Sequence, residues 1–241
     1  LVGSEMCIRD RLNTAGGLTS GDNFVTNFKL NNSKICISTQ AAEKIYSGYG
    51  YPARVENKVI IDDSSTLFWI PQELILFNNC NLYRRIEVDL KSNSNFLLAE
   101  TTIFGRTAMG EFLEKGFFKD NWKIYVNKKL IHAEALSLTG NIKDKLSSIA
   151  CADNGVAICN IFISGQNFLS KEDYLTQTLK SSEMILSSHS KWNDKMLIRI
   201  VSKDAYELKL IKKKLILCLS DKNLPRVWNL SLIHISEPTR P

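Results

Sequence analysis

The sequence predicts a mainly β fold: a layered scaffold of β-helical or sandwich type, with about two helices in its C-terminal third. Three observations carry this. Short runs rich in Val, Ile, Phe and Thr, many of them alternating, fill the first two-thirds of the chain. Clusters of Asn, Ser, Gly and Asp separate them as turns. Helical spacing of apolar residues begins only after about Gly165. No linker, composition break or internal repeat divides the sequence, which predicts a single domain with helices packed on a β-core.

The predicted strands follow in order. NFVTNFKL (23–30), KICISTQ (34–40), KVIID (58–62) and STLFWI (65–70) come first. LYRRIEVDL (82–90) and NFLLAETTIF (95–104) follow, then the long WKIYVNKKLIHAEALSL (122–138) and NGVAICNIFIS (154–164). NNS, SNSN and VNKK read as hairpin or loop connections. In SKEDYLTQTLKSSEMILSS (170–188) Ser170 is the expected N-cap, with Asp173 three residues on, and Leu175, Leu179 and Ile185 recur at roughly helical spacing. KMLIRIVS (195–202) reads as a strand. KDAYELKLIKKKLILCLSD (203–221) reads as a second amphipathic helix with Tyr206, Leu210 and Leu217 inward.

The two ends are read differently. One DNA sequence read in opposite orientations can encode both LVGSEMCIRDR and the LSLIHISEPTR of the other end, which is the pattern expected of a transposase-type sequencing adapter. Residues 1–11 and 230–241 are therefore set aside, which leaves 12–229 as the expected domain. The net charge of +6 is mildly basic with scattered lysines. The KLIKKKL run is expected to be the solvated face of a helix, so no nucleic-acid partner is expected. No apolar run is long enough to span a membrane. Cys36, Cys80, Cys151, Cys159 and Cys218 form an odd set without a C-x-x-C, expected to be buried thiols of a reducing compartment, hence the cytoplasm.

Little points to catalysis. In NTAGGLTSGD (Asn13 to Asp22) the glycines have Walker-like spacing, but Asp22 stands where the phosphate-binding lysine belongs, and an alternating pattern follows instead of a helix. A turn with glycines at positive φ is expected. There is no G-x-S-x-G elbow. His132 and His189 are too few and too far apart for a conventional zinc site. The informative residues are carboxylates in apolar strands: Glu73, Glu100, Glu111 and Glu134, with His132 two residues before Glu134 on one strand face. Such groups are costly unless paired, hydrogen-bonded or metal-bound. One reading pairs them with Arg84, Arg85 or Arg106 or leaves them on a wet face; the sharper one makes them an acidic path that holds or passes a divalent cation. A carboxylate-based hydrolase and a metal-free interaction module remain as alternatives.

Five phrases taken together carry a resemblance. NTAGGLTSGD, STQAAEKIY (Ser38 to Tyr46), WIPQELILF (Trp69 to Phe77), FGRTAMGE (Phe104 to Glu111) and LPRVW (Leu224 to Trp228) occur in the order found in urease accessory protein D, called H in some organisms. The chain resembles that family from Asn13 to Trp228, and the resemblance leads us to expect that the family's N-terminal strands are missing. The resemblance implies a non-enzymatic chaperone of urease maturation in nitrogen metabolism. Its implied partners are the urease apoprotein, accessory protein F and, through F, the GTP-hydrolysing protein G. The implied cargo is a nickel ion in transit along an acidic channel. Carried over by motif, the channel residues are Asp22, Glu100 and Glu134, with Glu43 more loosely; His132 is an additional waystation suggested by its place beside Glu134. Arg106 is expected to neutralise a buried acid.

Overall fold

The computed structural model describes residues 7–11, 16–106, 109–180, 182, 184–220, 224–225 and 227–230. Most of the terminal stretches set aside above, the start of the Gly-rich segment at Asn13, Thr107 and Ala108 of FGRTAMGE, and Arg226 of LPRVW lie outside the described residues.

Among the described residues, fourteen strands form two sheets. They are β1 (Cys7–Arg11), β2 (Asn23–Leu30), β3 (Lys34–Thr39), β4 (Glu43–Ile45), β5 (Ala53–Ile61), β6 (Thr66–Trp69) and β7 (Leu74–Leu76). Then come β8 (Cys80–Leu90), β9 (Asn95–Phe104), β10 (Lys115–Val126), β11 (Lys129–Asn141), β12 (Ala157–Ser164), β13 (Ile185–Trp192) and β14 (Lys195–Ser202). The smaller sheet runs β11-β10-β8-β5-β2; the larger runs β1-β3-β6-β9-β12-β14-β13, with β4 and β7 joined to β9. From β2 to β10 the chain alternates between the sheets, and neighbours within each sheet are parallel. This winding is β-helical, and the expected β-helical or sandwich-like scaffold has both characters at once. From β10 onward, pairing turns antiparallel.

Side-chain alternation sets the layers. Every second residue of β8 is buried, from Cys80 through Leu82, Arg84, Ile86 and Val88 to Leu90. The smaller sheet thus has one wet face and one face on the larger sheet. Along β9 both faces are buried. Phe96, Leu98 and Phe104 join the inter-sheet clusters, while Leu97 and Ala99 join the cluster under the helices. Hairpins β10–β11 and β13–β14 turn on Asn127-Lys128 and Asn193-Asp194, with all four residues at positive φ as a type I′ turn demands.

The helical layer corrects several expectations. The helices are α1 (Ile142–Ser147), α2 (Gln166–Leu169), α3 (Glu172–Leu179), α4 (Ala205–Leu219) and α5 (Val227–Leu230). Ser170 caps the C-terminus of α2 and is not the N-cap of α3, and Ile185 belongs to β13. The Asn-Asp turn at 193–194 makes this stretch a hairpin partner of β14 rather than more helix. In α4, Asp204 caps the start by accepting from the N–H groups of Tyr206 and Glu207 at 2.7 and 3.0 Å. Its inward face is Leu208, Ile211, Leu215 and Leu219; Tyr206 is exposed and Leu210 and Leu217 are only half-buried. The lysine run is not simply solvated, because Lys209 and Lys212 are buried.

Buried lysines need partners. Lys212 Nζ donates to the Pro71 carbonyl at 3.2 Å and lies 4.9 Å from the centre of the Trp228 ring. Lys209 Nζ is 3.1 Å from Glu73 Oε1. Trp228, fully buried on α5, donates from Nε1 to Ser38 Oγ and the Ile70 carbonyl, both at 3.2 Å. The helices therefore grip residues 70–73 from behind the larger sheet. Cys36, Cys80 and Cys159 are buried, and burial pushes the Cys80 thiol up to about 12. Cys151 is exposed and Cys218 half-buried, against the expectation of uniform burial.

Trp228→Ala removes a fully buried indole and both of its hydrogen bonds. It is expected to cost about 3–5 kcal/mol, read as a lowered urea midpoint at unchanged m-value.

Candidate functional site

Arg84 occupies an inward position of β8 where the alternation calls for an apolar residue. Its register neighbour on β10 is Asp120. Across the sheet interface Glu100 of β9 faces it. Arg84 Nε and Nη2 donate to Asp120 Oδ1 and Oδ2 at 3.0 and 2.5 Å, and Nη1 donates to Glu100 Oε2 at 2.6 Å. Trp69 Nε1 donates to Glu100 Oε1 at 2.9 Å, and Trp122 Nε1 to Asp120 Oδ2 at 3.1 Å. All four carboxylate oxygens thus accept at least one hydrogen bond. Burial opposes the guanidinium charge, yet Asp120 and Glu100 together hold the pKa of Arg84 above the ordinary arginine range. Burial pushes the Asp120 carboxyl up, opposed by Arg84 and reinforced by the charge of Glu100.

This cluster sits between two apolar halves of the sheet interface. One contains Leu82, Phe104 and Phe118; the other contains Val88, Phe96 and Trp122. The polar layer continues sideways by register. Glu100 pairs with Asn160 of β12, and Asn160 pairs with Arg199 of β14. Arg199 Nη2 then donates to Glu134 Oε2 of β11 at 2.6 Å.

A narrow cavity adjoins the cluster. It holds about 20 Å³, space for roughly one water. Arg84, Glu100, Glu43, Thr39, Asn57 and Gln72 contribute its polar lining. Pro71 and Gln72 come from the segment that the helices grip from behind. The structure therefore brings Glu43 and Glu100 to one cavity, although 57 positions of sequence separate them.

The other sequence-predicted residues lie elsewhere. Asp22 does not line this cavity; its Oδ2 accepts from the Thr19 N–H at 2.8 Å and closes the Gly-rich turn. Gly16 and Gly21 of that segment have φ of 75° and 88°, the conformation expected of a turn. His132 and Glu134 share one face of β11, with His132 Nε2 3.8 Å from Glu134 Oε2. The His132 ring stacks on Phe162 at 4.8 Å between centroids. Burial lowers the pKa of His132; Glu134 opposes the shift, and Lys195 and Arg199 add to it. Arg106 pairs with Glu111 near the surface, and Arg85 with Glu87. Of the pairings expected from sequence, that of Arg84 with Glu100 is the deeply buried one. Among the described residues no three His, Cys, Asp or Glu side chains are grouped to hold a metal ion. Asp120 escapes the sequence reading because its strand begins at Lys115, ahead of the predicted start at Trp122.

The family model described as "UreD urease accessory protein" matches residues 2–229. A urease accessory protein UreD of Rhizobium rhizogenes is 35% identical over 221 residues, covering 91% of this chain and 80% of its own. Urease accessory protein UreD 1 of a Bradyrhizobium species is 35% identical over 219 residues, covering 90% and 78%. A UreD of Rhodopseudomonas palustris is 34% identical over 219 residues, covering 90% and 76%.

Two outcomes are expected of this geometry. Arg84→Leu leaves two buried carboxylates without their cation and should cost about 3–5 kcal/mol, measured by urea unfolding. His132 resists protonation in the folded state, whereas the unfolded chain takes up the proton near the ordinary value of 6.5. Stability from this group is therefore complete above that value and falls as pH drops below it. The unfolding midpoint of His132→Gln should decline less steeply than that of the parent chain between about pH 6.5 and pH 5.

Proposed function

The chain belongs to the UreD family of urease accessory proteins, and we propose that it is the scaffold on which nickel passes to the urease apoprotein. Its place in urease maturation, as an accessory protein and not an enzyme, follows from the family. In this reading it binds the urease apoprotein and accessory protein F. Protein G joins through F and carries the GTP hydrolysis. The work takes place in the cytoplasm, where the free cysteines stay reduced. No described helix is long and apolar enough to cross a membrane.

One observation carries the transit reading: Glu43 and Glu100, far apart in sequence, line one inter-sheet cavity together with Thr39, Asn57 and Gln72. These are oxygen donors and amides, not a convergent set of imidazoles and thiolates. Such donors bind a borderline divalent ion weakly, as cargo requires, whereas a three- or four-ligand nitrogen and sulfur site would retain it. The lateral layer through Asn160 and Arg199 links this cavity to Glu134 and His132 at the far edge of the sandwich. Asp22 is proposed to hold the loop at the near end rather than to lie within the path. A metal-free interaction module is favoured by a different observation, since Arg84 and Trp69 already satisfy Glu100.

Substitution separates the two. Glu43→Gln and Glu100→Gln are to be co-expressed with the urease subunits and accessory proteins F and G. Pull-down on this chain and the nickel content of the recovered urease are then measured together. Transit predicts intact complexes with nickel loading and urease activity reduced several-fold. Unchanged loading in both variants would leave the metal-free module as the surviving account.

A further inference from the structure

The Gly-rich segment braces a loop that carries two unburied tyrosines. The connection from β4 to β5 reads YSGYGYP (46–52), and Tyr49 and Tyr51 are each 86% exposed. The loop is held on both sides. Gly21 N–H donates to the Tyr51 carbonyl at 3.0 Å, Thr19 Oγ1 to the Ser47 carbonyl at 3.3 Å, and Gly48 N–H to the Asn79 carbonyl at 3.1 Å. Asn81 Nδ2 donates to the Gly50 carbonyl and to Ser20 Oγ, both at 3.1 Å. A Cβ on Gly48 would fall 2.1 Å from Ser20 Oγ, so the two loops approach as closely as a glycine allows. Tyrosines on a frame this fixed lose little freedom on contact, which is what an interface anchor requires.

Beside the loop lies an open concavity of about 390 Å³, with Tyr49, Pro52, Asn79, Asn81 and Phe117 in its wall and no charged residue. The solvent face of the smaller sheet continues from it by register. Phe117 pairs with Asn81, and the next row on that face is Arg54, Tyr83 and Lys119. The Arg54 guanidinium lies 5.6 Å from the centre of the Tyr83 ring, and Lys119 Nζ lies 5.4 Å from that of Phe117. Among the described residues neither cation enters an ion pair. Glu56, the next acid on β5, has Arg85 as its register partner.

We infer that this surface docks an extended acidic segment of a protein partner, with an apolar side chain seated in the concavity and a carboxylate two residues away on Arg54 and Lys119. Alternate residues of an extended chain lie about 7 Å apart. The Phe117 and Lys119 rows are themselves two strand residues apart, so one such segment reaches both. Nucleic acid fits this surface less well. Two cations are too few to follow a phosphate backbone, and they already cover the Tyr83 and Phe117 rings on which bases would stack.

The inference goes beyond nickel transit and does not depend on it. The test uses the full chain and a fluorescein-labelled peptide of three Leu-Gly-Glu repeats, read by fluorescence anisotropy. Peptides of Leu-Gly-Gln and Leu-Gly-Lys repeats and an oligouridine serve as comparisons. The Glu peptide is expected to bind at least about tenfold more tightly than the other two peptides. Its binding should weaken as salt rises from about 0.05 to 0.5 M. Y49A/Y51A should lower that affinity about tenfold at an unchanged urea midpoint, because both side chains are exposed. R54E/K119E should reverse the preference in favour of the Lys peptide, an outcome that misfolding cannot mimic. Equal binding of the Glu and Gln peptides, or none, overturns the inference, and so does Glu-peptide binding that both variants retain. Tighter binding of the oligouridine overturns it too and assigns the surface to nucleic acid.

Discussion

One guanidinium between two carboxylates organises this molecule. Two sheets that meet through apolar side chains alone can slide, since burial is non-directional. Arg84 removes that freedom. It binds Asp120 within its own sheet with two parallel hydrogen bonds and reaches across the interface to Glu100. Such a buried group adds little net stability over an apolar substitute, but it is directional, and it penalises every register that leaves a charge alone. Trp69 and Trp122 reinforce it, each donating its indole N–H to one carboxylate and laying its ring into the apolar half beside it.

The same cluster ties architecture to chemistry. The β-helical winding brings inward positions of β8, β9 and β10 to one level, and the antiparallel strands carry that level sideways to Arg199 and Glu134. A polar layer thus crosses an otherwise apolar interface. The helical layer then fixes the cavity wall from behind. Lys209 holds Glu73, Lys212 holds the Pro71 carbonyl, and Trp228 holds the Ile70 carbonyl and Ser38. Residues scattered over 190 positions are joined by these contacts.

How much of this was legible depends on periodicity. Strands β2, β6, β9 and β14 can be read from alternation and β-branched content, and the Asn-Lys hairpin after β10 from its turn residues. The run before Trp122 was not legible, because Lys119-Asp120-Asn121 looks like a turn although Phe118, Asp120, Trp122 and Ile124 keep strict alternation. The lysines of α4 were hidden by composition. A triple lysine at 212–214 reads as solvated, yet on a helix consecutive residues point about 100° apart, so Lys212 turns inward while Lys214 stays outside. Ile185 followed helical spacing by coincidence and was claimed by the hairpin partner it pairs with.

By itself the sequence determined the mainly β class, the presence of helices in the final third, the family, and the oddness of Glu100 and Glu134 among apolar neighbours. These are local properties, set by the period of side chains along the backbone and by the cost of a charge in an apolar segment. Only the tertiary structure decided that Glu43 shares a cavity with Glu100, that Asp22 closes a turn, and that Arg84 serves two carboxylates at once. The reason is physical. Partners of a buried charge are chosen by strand register and by the docking of one sheet on another, and both depend on residues remote in sequence.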